Sequence, residues 1–121
     1  MSQPPPSAPL VATPVGSVMV VRLTRPLILS GETTEAVAHH LERLADAGYV
    51  RILLDCSNAR SLTSNMLSKL VGLNRKTSAA GGVLALCDVR PDVREILDIV
   101  GLPEILRVYA TEQDARDSLG G

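Results

Sequence analysis

Hydroxyl side chains cluster in residues 61–70, SLTSNMLSKL, directly before a run of apolar residues with helical spacing. Thr63 and Ser64 stand where a helix N-terminus is expected, and hydroxyl oxygens there accept hydrogen bonds from backbone N–H groups that lack helical partners. The first turn carries no carboxylate, so the positive end of the helix dipole can accommodate an added anion. The pattern leaves two roles open: plain helix capping, and phosphorylation of Ser64 as a switch.

The outward face of this helix is a candidate partner-binding surface. Its side chains are small and polar near the start and basic further along: Asn65, Ser68, Lys69, Gly72, Arg75 and Lys76. A glycine inside a helix costs about 0.5–1 kcal/mol relative to alanine. Gly72 therefore indicates either close approach of a partner or an incidental exposed glycine. Arg60 and Lys69 are the basic residues expected to reach a phosphoryl group on Ser64.

Other chemistry-bearing residues favour structural roles. His39 and His40 are adjacent on the first predicted helix, where neighbouring side chains point about 100° apart and cannot share a metal ion. Asp55 and Asp88 end two predicted strands at the sheet edge where α/β proteins place ligands. They form either an acidic ligand-binding pair or a set of turn carboxylates bonded to local amides, and the second interpretation is favoured.

No sequence feature supports catalysis. The chain has no GxxxxGK[ST] loop and no GxGxxG loop after a strand. Cys56 and Cys87 close neighbouring strands without CxxC spacing, which favours buried apolar thiols over a redox pair. The sequence therefore predicts a protein that is not an enzyme and that needs neither a metal nor a cofactor.

Composition limits the classes of partner. The 121 residues carry a net charge of −1 and two aromatic side chains, which argues against nucleic-acid and membrane-surface binding. No apolar run reaches the roughly 18 residues of a membrane span, and no secretory signal is visible. We therefore expect one cytoplasmic domain that works through a protein partner.

The elements that position these residues alternate along the chain. Residues 1–9, MSQPPPSAP, predict a flexible tail, and residues 10–121 predict one domain. The order is β-β-α-β-α-β-α-β-α, which implies a mostly parallel sheet of about five strands with four helices. Pro14 places the first strand at a sheet edge, and Thr33 or Thr34 is the expected cap of the first helix. The predicted strands cover residues 10–15, 18–29, 50–56, 83–89 and 105–110, and the predicted helices follow residues 33, 64, 91 and 111.

Beyond these patterns, the segment from LLDCSNARSLTSNMLSKL to ILRVYATEQDA resembles the STAS domain of anti-sigma factor antagonists, and the resemblance extends from about residue 10 to residue 119. It includes the strand ending at Asp55, the helix after it, the AAGG link and the IVGL turn. The resemblance implies the STAS-like α/β fold and a fingerprint, Asp-Ser-Ser-Gly, whose first serine is phosphorylated by a kinase that is also an anti-sigma factor.

An ungapped match places Thr63 on the Asp, Ser64 on the phosphorylated Ser, Asn65 on the second Ser and Met66 on the Gly. Only the modifiable hydroxyl is retained, and Thr63 becomes a second candidate acceptor. The resemblance implies a serine-kinase anti-sigma factor as partner, with a phosphatase as a further one, and a monomer or weak dimer. Two alternatives stay open: an unphosphorylated STAS scaffold in a larger signalling or transport assembly, and a small-ligand binder at Asp55 and Asp88.

Overall fold

Seven strands and four helices form the part of the chain that the structure describes. The structure is a computed structural model that describes residues 10–24 and 26–119. The predicted tail at residues 1–9 lies outside these ranges. The strands are β1 (Leu10–Val15), β2 (Val18–Leu23), β3 (Leu27–Leu29), β4 (Arg51–Asp55), β5 (Ala59–Leu62), β6 (Val83–Cys87) and β7 (Arg107–Tyr109). The helices are α1 (Gly31–Asp46), α2 (Ser64–Ala79), α3 (Pro91–Ile99) and α4 (Glu112–Leu119), with a 3₁₀ turn at Leu102–Glu104.

The main sheet has the strand order β1-β2-β4-β6-β7. The strand β1 pairs antiparallel with β2, and every other neighbouring pair in this sheet is parallel. This confirms the predicted mixed five-stranded sheet with four helices. Pro14 lies on the edge strand β1, as its missing backbone donor requires.

Both faces of the sheet are covered by helices. Side chains of β4 alternate between two apolar clusters, with Ile52 and Leu54 on one face and Leu53 on the other. The larger cluster includes residues of α1, α2 and α3, whereas α4 supplies Ala115 and Leu119 to the smaller one. This burial explains why β4 and β6 have nearly continuous apolar sequences. The site helix α2 therefore packs on the larger of the two clusters.

A second, two-stranded sheet was not predicted. Residues 18–29 were expected to form one strand that Pro26 interrupts or bends. The strand is interrupted there: β2 ends at Leu23, and a separate short strand, β3, pairs in parallel with β5. The strand β5 escaped prediction because its sequence, ARSL, is short and half polar. Leu62, expected on the apolar stripe of α2, is buried at the end of β5 instead.

The start of α1 and the last strand also differ from the prediction. Ser30, in extended conformation, precedes α1, and the Thr33 hydroxyl completes a capping box by accepting from the Ser30 backbone N–H. The expectation that Thr33 or Thr34 is the N-cap is therefore wrong, and Thr34 is buried within the helix. The strand β7 begins at Arg107 rather than at residue 105, because the chain first forms the 3₁₀ turn.

Among the described residues, none of the helices combines the length and the apolar content that crossing a membrane requires.

Candidate functional site

Thr63 fixes the start of α2. Its backbone is extended, and its hydroxyl oxygen accepts a hydrogen bond from the backbone N–H of Met66 at 3.3 Å. The same hydroxyl donates to the carbonyl oxygen of Leu29 at 3.2 Å, and the Thr63 N–H donates to that carbonyl as well. Thr63 is therefore both the cap of α2 and its link to β3, and its hydroxyl is engaged in both directions.

Ser64 is the first residue of α2, and its hydroxyl, unlike that of Thr63, is not engaged within the described chain. Its side chain is exposed, and it makes no side-chain hydrogen bond to the rest of the described chain. The first turn of α2 contains no acidic residue, as the sequence predicted. Backbone N–H groups at a helix start carry positive partial charge, so this position combines a free hydroxyl with an environment that favours an anion.

Ser64 lies at the rim of a cavity of about 470 Å³ between α2 and the segment that follows α3. One side is formed by α2 and the other by the residues around the 3₁₀ turn. We call this cavity the α2 groove, and the residues that line it are Ser64, Leu67, Ser68, Val71, Gly72, Arg75, Val100, Leu102 and Ile105.

Ser68, Gly72 and Arg75 are the residues of the predicted partner-binding face that line this groove together with Ser64. All four are exposed. A Cβ atom added at Gly72 would have no heavy atom within 4 Å, so this position is open on its outward side. The exposed residues on the α2 side of the groove are therefore small, apart from Arg75.

The remaining basic residues of the predicted face are placed differently. Lys69 pairs with Glu35 of α1 at 3.4 Å, and Lys76 pairs with Asp46 at the end of α1. The hydrogen bond that Lys76 donates to Asp46, together with the negative charges of Asp46 and Glu42, outweighs desolvation and raises the pKa of Lys76. Both lysines thus bridge α2 to α1.

Asn65 and Arg60, the other predicted contact residues, are exposed, on α2 and on β5, but they do not line the groove. Within the described part of the chain, Arg75 makes no ion pair with a carboxylate. Arg75 is therefore the residue that gives the groove its positive charge.

Sequence reasoning missed the opposite wall of the groove. The sequence pattern places Val93, Ile96, Leu97 and Val100 on one side of the third helix. Val93 and Leu97 are buried, whereas Ile96 is exposed and Val100 keeps 55% of its surface exposed. The helix α3 spans nine residues and contacts the core along a narrow stripe, so the outer members of the apolar pattern remain in solvent.

The exposed apolar surface continues past the end of α3. Ile99 is 77% exposed and Ile105 is 53% exposed, on either side of Gly101 and the buried Leu102. Gly101 has a φ of 73°, which turns the chain after α3 so that both flanking segments reach the surface. The density of apolar residues around this turn was the available signal in the sequence.

The carboxyl edge of the sheet holds the other candidate site. Asp55 accepts a hydrogen bond from the Ser57 backbone N–H at 2.9 Å, and Asp88 accepts one from the Glu112 backbone N–H at 3.1 Å. Arg22 lies between the carboxylates of Asp55 and Glu112 and pairs with both. The interpretation as a turn carboxylate bonded to a local amide is therefore confirmed for Asp55. It is wrong for Asp88, whose carboxylate bonds an amide 24 residues along the chain.

A metal-ligand set at this edge has unfavourable chemistry. Ligand atoms of Asp55, Cys87 and Asp88 lie within 4.8 Å of one another. However, burial, together with the charges of both aspartates, raises the pKa of the Cys87 thiol, so it is a poor thiolate donor. Each carboxylate already bonds a backbone amide. This arrangement fits carboxylates that are hydrogen-bonded at the ends of strands better than a metal site.

The thiols and histidines occupy the environments that the sequence predicted. Cys56 and Cys87 are free and buried, and burial, followed by the nearby charges of Asp55 and Asp88, raises the pKa of Cys56 to about 12. His39 and His40 are exposed on α1. Neither pair forms a reactive centre with the groove.

Comparisons with known proteins find matches of sequence and of fold. Residues 10–115 match the model of the STAS domain family. The chain is 30% identical over 107 residues to the anti-sigma F factor antagonist of Paenibacillus polymyxa, covering 84% of this chain and 86% of that protein.

Among solved structures, an anti-sigma-factor antagonist (STAS) domain protein from Planctomyces limnophilus superposes with a TM-score of 0.80 at 22% identity, covering 93% of this chain and 98% of that one. The anti-sigma factor antagonist SpoIIAA in its unphosphorylated form gives a TM-score of 0.74 at 22% identity, covering 90% and 94%. The phosphorylated form of SpoIIAA from Bacillus gives 0.67 at 21%, covering 90% and 97%. These likenesses concern the fold.

Proposed function

Because the chain belongs to the STAS domain family, we propose that it acts as an anti-sigma factor antagonist whose binding is switched by phosphorylation of Ser64. In the unmodified state it binds a serine-kinase anti-sigma factor, and modification ends that binding. A phosphatase would restore it, and a cytoplasmic location suits these partners. The observation that carries the proposal is the exposed Ser64 hydroxyl at the start of α2, beside the groove and with no acidic residue in the first turn.

The physical basis of the switch is local charge. A phosphoryl group brings about −1.5 to −2 charges at neutral pH, and the positive end of α2 stabilises them. Thr63 already supplies the cap, so modification of Ser64 takes nothing from the fold. A partner seated over the groove would meet a bulky dianion at its rim, and desolvation of that dianion would oppose docking.

The test uses purified anti-sigma factors of the source organism, with and without ATP. Phosphate should map to Ser64 by mass spectrometry and be absent from Ser64→Ala. By calorimetry, Ser64→Ala should bind like the unmodified protein, whereas Ser64→Asp should bind at least about tenfold more weakly, or 1.4 kcal/mol. The matched control is Ser78→Asp, since Ser78 is exposed on α2 but does not line the groove.

Two results would refute the proposal. One is phosphate transfer to a residue other than Ser64, including Thr63, whose hydroxyl is engaged with Leu29 and Met66. The other is equal affinity of Ser64→Ala, Ser64→Asp and the unmodified protein for an anti-sigma factor that binds.

A second candidate function is an unphosphorylated STAS scaffold in a larger assembly. The observation that favours it is the sequence at the start of α2, Thr63-Ser64-Asn65-Met66, which retains one position of the family fingerprint. In that case the protein would form a stable higher assembly in native mass spectrometry, and Ser64→Asp would assemble like the wild-type protein. Loss of assembly on this substitution would favour the switch.

A further inference from the structure

We propose that the α2 groove binds an amphipathic helix of the partner, whose apolar side chains cover the wall at Val100 and Ile105 and whose carboxylate pairs with Arg75. This inference rests on the proposed function, because it assigns the docking surface and the chemistry of the same partner. It extends the site from α2 to the segment after α3, which the sequence analysis did not include among the partner-binding residues.

The apolar wall is the first reason. Val100 and Ile105 line the groove and are 55% and 53% exposed, and Ile99, the residue before Val100, is 77% exposed. Leu67 and Leu102 lie beneath them, buried. A contiguous exposed apolar surface beside a formed cavity is typical of protein interaction sites. The partner surface that covers this wall must itself be apolar.

The charge of the groove is the second reason. Of the residues that line it, Arg75 is charged and none is acidic. Lys69 and Lys76 are neutralised by acidic residues of α1, whereas Arg75 has no carboxylate partner in the described ranges. A partner that buries this guanidinium must supply a carboxylate, because an unpaired buried charge is costly. A second copy of the same groove offers no such group.

The shape of the groove is the third reason. Ser64, Ser68, Gly72 and Arg75 follow one another at helical spacing along one face of α2. From Ser64 to Arg75 this face extends about 16 Å, or roughly three helical turns. Small residues let a second helix approach to the 8–10 Å at which helices pack, and Gly72 is open on that side. Helix-in-groove recognition fits these dimensions.

The same geometry explains why Ser64 can control docking. Ser64 lines the end of the groove opposite Arg75. A phosphate there would repel an acidic helix that lies along the groove and would be desolvated by its apolar face. One occupant therefore accounts for the apolar wall, the unpaired cation and the position of the hydroxyl.

The test measures affinity for purified anti-sigma factors of the source organism without ATP, by calorimetry. Gly72→Leu should fill the groove and Arg75→Glu should repel the carboxylate, each weakening binding at least tenfold, and Ile105→Ser should weaken it about threefold to tenfold. The charge-matched control is Arg107→Glu, exposed on β7 and lining a different depression with Arg51. It should bind within twofold of wild type, and unfolding midpoints should show that all variants are folded.

A charge reversal on the partner identifies the carboxylate. Replacing the acidic residues of its amphipathic helix by lysine, one at a time, should restore binding to Arg75→Glu at one position. Wild-type affinity of both Gly72→Leu and Arg75→Glu would overturn the groove assignment, even if phosphorylation of Ser64 still switches binding. Conversely, weakened groove variants together with a phosphate-independent interaction would refute the switch alone.

Two further outcomes are decisive. If no anti-sigma factor binds the wild-type protein, both the groove assignment and the proposed function fail. If sedimentation shows a wild-type dimer that Gly72→Leu and Ile105→Ser convert to monomers, the occupant is a second copy, and the inference of an acidic partner helix is overturned.

Discussion

The carboxyl edge of the sheet and the α2 groove contrast in where their side chains find partners. At the edge, Asp55 and Asp88 accept hydrogen bonds from backbone amides, and Arg22 lies between two carboxylates. In the groove, and within the described chain, the Ser64 side chain makes no hydrogen bond. Arg75 makes no ion pair there. Polar groups at the edge are therefore bonded within the chain, whereas the groove presents polar groups that are open to solvent or to a partner.

This difference separates stability from binding. A group whose partners lie within the chain contributes to the free energy of unfolding, and its loss leaves a binding surface elsewhere intact. A group without internal partners costs little to replace, yet its loss removes a contact to a partner. Substitutions at the edge should therefore lower stability without changing affinity. Substitutions in the groove should lower affinity for the partner without changing stability.

The largest effect is expected at Asp88. Its backbone has a φ of 54°, in the left-handed region, and its carboxylate bonds the first backbone N–H of α4. Asp88→Ala loses this hydrogen bond and leaves a residue that tolerates the left-handed backbone less well than aspartate, so the free energy of unfolding should fall by about 3 kcal/mol. Asp88→Gly also loses the hydrogen bond but relieves the left-handed strain, so it should cost less, about 1 kcal/mol. Urea unfolding measures both.

The affinity of these variants for an anti-sigma factor provides the comparison with the groove. Both should bind within twofold of the wild-type protein at temperatures where they are folded. A tenfold loss of affinity in Asp88→Gly would place the edge in the docking surface and remove the distinction between the two regions.

The next effect concerns the thiol of Cys56, next to Asp55. Burial and the two carboxylates raise its pKa from 9.0 to about 12, so it stays protonated in the folded protein after the unfolded chain has lost the proton. Its contribution to stability is therefore complete below about pH 9 and is lost as pH rises from there towards 12. The slope is about −1.4 kcal/mol per pH unit.

Cys56→Ala tests this slope. The variant should be less stable at neutral pH because it leaves a small cavity, but its stability should fall less steeply between pH 9 and 10.5. Urea unfolding under reducing conditions at several pH values gives both slopes. Equal slopes would mean that Cys56 ionises in the folded protein as it does in solution, and that the edge is open to water.

Much of the fold followed from patterns in the sequence because those patterns reflect burial. The strands β4 and β6 are apolar because both of their faces are covered, and α2 begins where the hydroxyl residues Thr63 and Ser64 predict a helix start. By contrast, β3 and β5 stabilise each other by pairing across a long separation in sequence. Neither segment carries that information alone.

The candidate site was predicted in part for the same reason. Ser64, Ser68, Gly72 and Arg75 belong to one helix, and helical spacing fixes their common face. The wall at Val100 and Ile105 comes from another segment. An apolar residue in or next to a short amphipathic helix is predicted to be buried, whether or not its side chain faces the core. Only tertiary packing distinguishes an exposed from a buried position, so no sequence pattern separates Val100 from Leu97.

The smallest expected effects on stability concern the adjacent hydroxyls of Thr63 and Ser64. One is bonded within the chain and the other is exposed, so they show the same contrast at the start of α2. Thr63→Ala removes the cap of Met66 and the bond to Leu29, so unfolding free energy should fall by about 1 kcal/mol, whereas Thr63→Ser keeps both bonds and should stay near wild type. Ser64→Ala should change stability by less than about 0.5 kcal/mol. Urea unfolding of the three variants measures this difference.

In a phosphate-transfer assay the two residues should exchange importance: the hydroxyl of Ser64 is required, and the Thr63 methyl group is not. Thr63→Ser should still be modified at Ser64, and Ser64→Ala should not be modified at all. A stability loss in Ser64→Ala as large as that in Thr63→Ala would mean that the Ser64 hydroxyl also caps α2. Phosphorylation would then disturb the helix start itself, and the separation of binding from stability would not hold at the residue where the proposed switch depends on it.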